Sequence, residues 1–455
     1  MKTFRLITLV ALALMAADCS KIDNDYAPGQ PTEGSRLVTF TATITLDDEA
    51  TTRALSGPDG ENNIHAEWAT GEHVALVYQK SPLTSPIMAD AVITAHADRT
   101  ATISATMDVT GMITGVNTGV TLIYPYSTVC TSGDNIGQVR SDLWASQTGT
   151  LEDISQYRDL RRGSGRLIID KVNNTATLQN AVTMVPQAAI WKLTLSQAID
   201  ASHPLKVCDF DDNALLSTVT PASETNEVYV ALPAAAKKTY RFYVKTDNKR
   251  FIKNGKAQLE AGKFYQTTLT LTEHDPNIDY IIPEDIGSVI GTNGNVYANA
   301  SEAGNAGATA EAMICSAGYD GHGMAIELNS SPQSVDVSSA KSNAVNKPAL
   351  AGHSWKLPSK DDWQSMVDGC GGAQGFITKY DGTGVELCLY VRPTGGRGPT
   401  EFWTSTTNIL EQESGIGAYV ISFSVTDSSY SFGFNKKVTI GLTQVKYYSL
   451  ACLAF

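Results

Sequence analysis

The sequence predicts a mainly β protein: two β-sandwiches in series, residues 37–175 and 176–273, followed by a mixed α+β unit over residues 284–455. Three observations predict it. From Leu37 to Leu271 the chain is a succession of short β-branched runs divided by Gly-, Asn- and Pro-bearing turns, the pattern of β-sandwiches. Between His274 and Glu284, Pro276 and Pro283 stand among Asp275, Asp279 and Glu284 and interrupt that pattern. Beyond them the texture becomes Ala- and Gly-rich with helical spacing before strands return.

The elements follow in order. Val38, Phe40, Ala42, Ile44 and Leu46 alternate with Thr39, Thr41, Thr43 and Thr45, a period of two that makes a half-buried strand. Strands are expected at Val74–Gln79, Ala91–Thr94, Ala101–Ala105, Val120–Tyr124, Arg166–Asp170, Ile190–Leu195, Glu227–Ala231, Tyr240–Thr246 and Phe264–Thr272. Turns are expected at Gly57–Gly60, Gly133–Asn135, Lys253–Lys256 and Ala261–Lys263. Roughly 235 residues suit two sandwiches better than one. His274–Glu284 reads as a linker, so limited proteolysis is expected to release a C-terminal fragment of roughly 170–180 residues. After it, helices are expected within Ala298–Ala312, over Val337–Val345 and over Ser359–Val367. The last has Ser359 at its N-cap, Asp361 and Asp362 in its first turn, and Trp363, Met366 and Val367 on one face. Strands return at Val385–Val391, Ala418–Val425, Tyr430–Phe434 and Tyr447–Ala454.

Composition excludes more than it assigns. Lys+Arg is 34 against 47 Asp+Glu, a net charge of −13, so the chain has no electrostatic footprint for nucleic acid. The N-terminus reads as an address over residues 1–19. Lys2 and Arg5 precede the apolar run Leu6–Ala17, which is too short to span a bilayer and suits a signal-peptide core. Cys19 follows at once, as in a bacterial lipoprotein whose cysteine takes the lipid. Asp18 stands where such leaders carry a small residue, and a cleaved signal peptide with an incidental cysteine is the alternative. Residues 20–36 read as a polar tether. Cys130, Cys208, Cys315, Cys370, Cys388 and Cys452 form no CxxC pair and lie mainly in apolar segments. Buried thiols suit that placement, and disulfide pairing stays open.

Motifs for catalysis fail one by one. Asp275, Asn277 and Asp279 begin like a calcium loop, but Tyr280 and Ile286 occupy the positions that need Gly and Glu. Ser338–Lys341 fits SxxK without its partner motifs. Ile290–Asn295 is Gly-bearing without a P-loop lysine. The expectation is a protein that is not an enzyme and that uses no metal or cofactor. Trp355, Trp363 and Trp403 read first as core and second as an aromatic sugar platform. Arg397, in the loop Gly395–Pro399, and Trp403 are the candidate ligand contacts.

The first part resembles the fimbrillin family, lipoprotein-exported pilus subunits of Gram-negative gut and oral bacteria. The resemblance is carried by the leader, the strand Val38–Leu46, Thr51-Thr52-Arg53-Ala54, and Trp68-Ala69-Thr70-Gly71-Glu72 leading into Val74–Tyr78. It covers about residues 1–272. The last part, about residues 284–455, resembles a C-type-lectin-like module. Its signature is Trp355-Lys356-Leu357-Pro358-Ser359-Lys360-Asp361-Asp362-Trp363, with Trp403-Thr404-Ser405-Thr406 farther on. The calcium and sugar motifs of animal C-type lectins are absent, so the resemblance carries no calcium-dependent sugar binding.

The resemblance implies tandem fimbrillin-type β-sandwich domains with an appended C-type-lectin-like domain. It implies palmitate on Cys19, an outer-membrane anchor, and a place in a cell-surface fimbrium. It further implies cleavage between Arg53 and Ala54, after which the first strand leaves and a strand of another fimbrial subunit takes its place. Tyr447–Phe455 reads as core of the C-terminal unit rather than as a donor strand. The expected role is therefore a tip adhesin that accepts a strand, gives none, and binds a glycan or protein ligand through its C-terminal domain. The alternative is a non-polymerising outer-membrane lipoprotein that binds glycan or another surface ligand.

Overall fold

The computed structural model describes residues 36–47, 67–81, 83–97, 99–113, 118–329, 334–385, 400–409, 416–425, 430–438 and 447–455. Alternation of apolar and Thr residues makes β1 (Leu37–Leu46) a strand with one dry face. It is followed by β2 (His73–Tyr78), β3 (Ile87–Ala97), β4 (Thr100–Asp108) and β5 (Thr118–Tyr124). Next come β6 (Ser146–Gln147), α1 (Leu151–Tyr157), β7 (Arg161–Asp170), β8 (Thr175–Leu178) and β9 (Val182–Pro186). All of these strands except β6 form one sheet in the order β4-β3-β2-β5-β7-β8-β1-β9, and a further β4–β1 pairing closes it on itself. Closure removes the open edges that a lone sheet would expose. The interior is filled by the dry faces of β1, β2, β4 and β5 together with Trp68.

The second unit has β10 (Ala188–Ile199), β11 (Leu205–Asp209), β12 (Ala214–Val219), β13 (Thr225–Pro233), β14 (Ala235–Lys245), β15 (Arg250–Leu259), β16 (Phe264–Leu269) and β17 (Thr272–His274). The sheet β13-β10-β16 faces the sheet β17-β15-β14-β11-β12-β6. Between them Trp191 meets Tyr240 and Phe242 edge-on, each at 5.4 Å. The change of sheets falls at Gln187 rather than at 175, because β8 and β9 pair with β1 and β7 of the first sheet. The expected turn at Lys253–Lys256 is instead strand: Asn254 and Gly255 lie opposite Arg241 and Tyr240. The chain reverses earlier, where Thr246 and Lys249 bond. The first unit also reaches into the second. β6 pairs with β12, and the buried Gln147 side chain bonds both the N–H and the C=O of Ala231.

The third unit comprises β18 (Val289–Gly291), β19 (Val296–Tyr297), α2 (Ala300–Asn305), β20 (Ala310–Ala317), β21 (Gly323–Glu327), β22 (Ser334–Val335), α3 (Val337–Val345), β23 (Trp355–Lys356), α4 (Lys360–Gly369) and α5 (Gly372–Gly382). β24 (Thr400–Ile409), β25 (Ile416–Val425), β26 (Tyr430–Val438), β27 (Tyr447–Tyr448) and β28 (Cys452–Ala454) complete it. One sheet runs β19-β18-β20-β21-β28-β23 and the other β22-β27-β24-β25-β26. The helix expected within Ala298–Ala312 stops early. Gly307, at φ +75, ends the turn, and Ala312 to Cys315 are wholly buried in β20. α4 forms as its cap predicts. Ser359 accepts from the Asp362 N–H, and Asp362 accepts from the Ser359 N–H. The expected strand Tyr447–Ala454 divides into β27 and β28, which belong to different sheets.

His274–Glu284 is not a loose linker. Ile278, Ile281 and Ile282 are buried. Ile282 packs with Cys208, Tyr243 and Ile252 of the second unit. Tyr243 donates its hydroxyl to Glu284, and Arg250 and Lys245 both reach Asp285. The three residues expected to fail as a calcium loop, two carboxylates and an amide, have protein partners: Asp275 pairs with Lys249, and Asp279 with His353, while Asn277 caps a short 3-10 turn.

Candidate functional site

The site is the slot that β1 occupies. On one side β1 pairs antiparallel with β4 over nine positions, with Phe40 opposite Ala105 and Ile44 opposite Ala101. On the other side it runs parallel, first beside β8, where Phe40 faces Ala176, and then beside β9, where Ile44 faces Val182. Val38, Phe40, Ala42, Ile44 and Leu46 all point into the interior, Phe40 and Ile44 with no exposed surface. β1 is thus flanked along both edges, and without it β4 on one side and β8 with β9 on the other each keep their second partner but lose the pairing on the edge that faced β1.

The Trp-x-x-Gly-Glu motif leads into β2, puts Trp68 into the interior that β1 fills, and bonds to β3 at Ile93. Trp68 is buried in the same interior, meets Tyr124 edge-on at 5.4 Å, and donates Nε1–H to the Arg99 carbonyl at 3.1 Å. Gly71 has φ +90, a left-handed backbone that a side chain resists. It turns the chain so that Glu72 accepts from the Ala69 N–H at 2.8 Å. Burial is the main cause that pushes the Glu72 carboxyl up to about 7; its hydrogen bond from Ala69 opposes the rise and Asp159 adds to it.

A second arrangement bears on assembly. β28 lies between β21 and β23, with Leu453 opposite both Ala325 and Trp355. Leu450 to Leu453 are buried. That strand is part of a sheet interior.

Of the residues singled out in the sequence, Cys19, Arg53, Ala54 and Arg397 lie outside the described residues, as do the turn at Gly57–Gly60 and most of the strand expected at Val385–Val391. The Trp403 backbone is in β24 opposite Val420, just before an irregularity in the pairing. Trp355 and Trp363 are core, at 4% and 0% exposure. Among the described residues, Cys130, Cys208, Cys315, Cys370 and Cys452 are free thiols. What sequence reasoning missed is the closure of the first sheet and the joint around Asp285. A parallel pairing such as β1–β9 leaves no local signal, because its partners are more than a hundred residues apart.

No protein-family model matches the chain, and no curated protein matches it. Solved structures do. The chain is similar to a fimbrial protein from Bacteroides ovatus ATCC 8483, at 10% identity and TM-score 0.27, over 93% of this chain and 100% of that one. It is also similar to a putative cell adhesion protein from the same strain, at 10% identity and TM-score 0.29, over 53% of this chain and 96% of that one. A third similar structure is the tip fimbrial protein Mfa3 from Porphyromonas gingivalis, at 9% identity and TM-score 0.23, over 48% of this chain and 81% of that one.

Proposed function

We propose that the chain is a fimbrial subunit of the cell surface, anchored to the outer membrane through a lipid on Cys19, and that it caps the fibre as a tip adhesin. The observation that carries the reading is β1. It is held along both edges and buries five apolar side chains, and it directly precedes the Thr51–Ala54 segment that resembles a processing site. Cleavage between Arg53 and Ala54 frees β1 to leave. The slot then presents apolar surface between two unpaired edges, which a strand from another subunit fills by β-augmentation. Burying such a set of side chains has a gross value near 10 kcal/mol, at about 1.5–3 kcal/mol for each of the larger ones and before ordering costs.

Integration of β28 between β21 and β23 supports the tip position, since withdrawing that strand dismantles a sheet of the third unit. The third unit, read as C-type-lectin-like, is the ligand-binding part, with Arg397 and Trp403 as its contacts. The ligand class in this reading is a glycan or a protein. The alternative role is a lipoprotein of the outer membrane that binds a surface ligand without polymerising.

The mature N-terminus separates the two. Surface-sheared protein sequenced from its N-terminus begins at Ala54 if strand replacement operates. Protein that carries only lipid-modified Cys19 would favour the non-polymerising reading. Trypsin-treated protein mixed with a shaft subunit forms a one-to-one complex, and the uncut Arg53→Ala variant forms none. Self-polymerisation of the cut protein would remove the tip assignment.

A further inference from the structure

We infer that the first unit carries a binding groove for a neutral oligosaccharide, formed where the turn after β5 meets α1 and the rim of β2 and β3. Two adjoining hollows make it, of about 510 Å³ and about 500 Å³. Tyr126 and Ser127 line both, so they form the saddle between two subsites rather than the wall of one. The site is independent of the strand-replacement reading and of the ligand contacts placed on the third unit.

The first hollow has aromatic faces at two heights. Tyr157, at the end of α1, is 48% exposed, and Tyr126 is half-buried and meets the His73 ring edge-on at 6.5 Å. Tyrosine offers an apolar face with a polar tip, which matches the apolar face and hydroxyl rim of a pyranose. Beside these rings His73 Nδ1 lies 2.8 Å from Asp90 Oδ1, and Glu72 supplies another carboxyl. The second hollow holds Arg140 and Asp142, joined by two hydrogen bonds of 3.0 and 2.7 Å and both substantially exposed.

The charge arrangement selects the ligand. Asp90 is hydrogen-bonded to His73 beside Glu72, and Asp142 is ion-paired with Arg140, so each hollow presents donors and acceptors side by side without a net positive charge. On a chain of net charge −13, that disfavours an anionic ligand and suits neutral hydroxyls. The groove is preformed. Ser127 Oγ donates to the Gln156 carbonyl at 3.1 Å, tying its saddle to α1. Thr128 Oγ1 donates to the Pro125 carbonyl at 2.7 Å and holds the turn below it. Binding sites of this kind are concave and formed in advance, with a few convergent polar groups.

The test is a printed array of neutral and sialylated oligosaccharides probed with the full chain, followed by calorimetric titration of the strongest neutral binder. The expected result is binding of neutral glycans of two or more rings, weaker binding of their sialylated counterparts, and loss of roughly three- to tenfold in affinity for Tyr157→Ala. Asp142→Ala weakens binding of the longer glycans only, while Leu83→Ala, elsewhere on the surface, leaves it unchanged. Melting curves matched to the unsubstituted protein show that the variants are folded. Absence of any neutral binder, preference for sialylated glycans, or full affinity in both Tyr157→Ala and Tyr126→Ala would overturn the groove. Binding that is lost only in Trp403→Ala would place the ligand on the third unit and equally overturn it.

Discussion

Arg250 Nη2 donates to Asp285 Oδ1 at 2.6 Å, and neither side chain is more than 4% exposed. The bond joins β15 of the second unit to the turn that opens the third. Asp285 also accepts from Lys245 Nζ at 3.2 Å and, through its other oxygen, from the Ile282 N–H at 3.1 Å. The carboxylate therefore organises the joint from both sides. Removing one partner of such a buried pair leaves the other charge uncompensated, at a cost of roughly 3–5 kcal/mol. Asp285→Ala should lower the melting temperature and expose residues 274–284 to protease, releasing the third unit. The unsubstituted protein should resist cleavage there. Ready release of a stable C-terminal fragment from the unsubstituted protein would show that the joint is loose.

The β1 slot makes a stability prediction of its own. Phe40 is fully buried between Ala105 and Ala176, so Phe40→Ala should cost about 3–5 kcal/mol in the uncut protein. Thr41→Ala, on the wet face of the same strand, should cost far less. Chemical denaturation of both variants checks this. Equal effects would mean that β1 contributes little to the interior.

Glu72 predicts a pH dependence whose sign follows from its raised pKa. Its folded carboxyl holds a proton up to about pH 7, whereas the unfolded one releases it near 4.5. The stability it contributes is present in full below about 4.5 and is lost as pH rises through about 7. Glu72→Gln mimics the protonated form. It should match the unsubstituted protein near pH 5 and exceed it at pH 8, in melts run across that range. A difference between the two that does not change with pH would contradict the burial argument.

At α4 the reciprocal cap between Ser359 and Asp362 satisfies two N–H groups that a helix otherwise leaves open. Ser359→Ala should cost about 1 kcal/mol, read as a shift in the denaturation midpoint. Ser359→Asp should recover most of it.

Local pattern accounts for much of what the sequence alone made legible. The alternation in Val38–Leu46 named the inward residues of β1 one by one, because side chains in a strand point to opposite faces in turn. Ser359, Asp362, Trp363, Met366 and Val367 likewise announced the cap and buried face of α4, since capping and helical spacing are satisfied within about three turns. Elsewhere local signals misled. Lys253–Lys256 has turn composition but lies in strand, since pairing with β14 across Arg241 and Tyr240 outweighs the preference of Asn and Gly for turns.

What only the tertiary structure decided is which strands meet. That β1 closes a sheet on itself depends on β4 on one edge and on β8 and β9 on the other, the latter two more than 130 residues away. That Asp285 is a buried anchor rather than one of several linker carboxylates depends on Lys245 and Arg250 arriving from β14 and β15. That Tyr126 and Tyr157 share one groove depends on α1 folding back onto the turn after β5. A sequence records which face of an element is apolar. It does not record which distant element covers that face, because pairing and burial are properties of the assembled chain, won against its conformational entropy only when all the partners are in place.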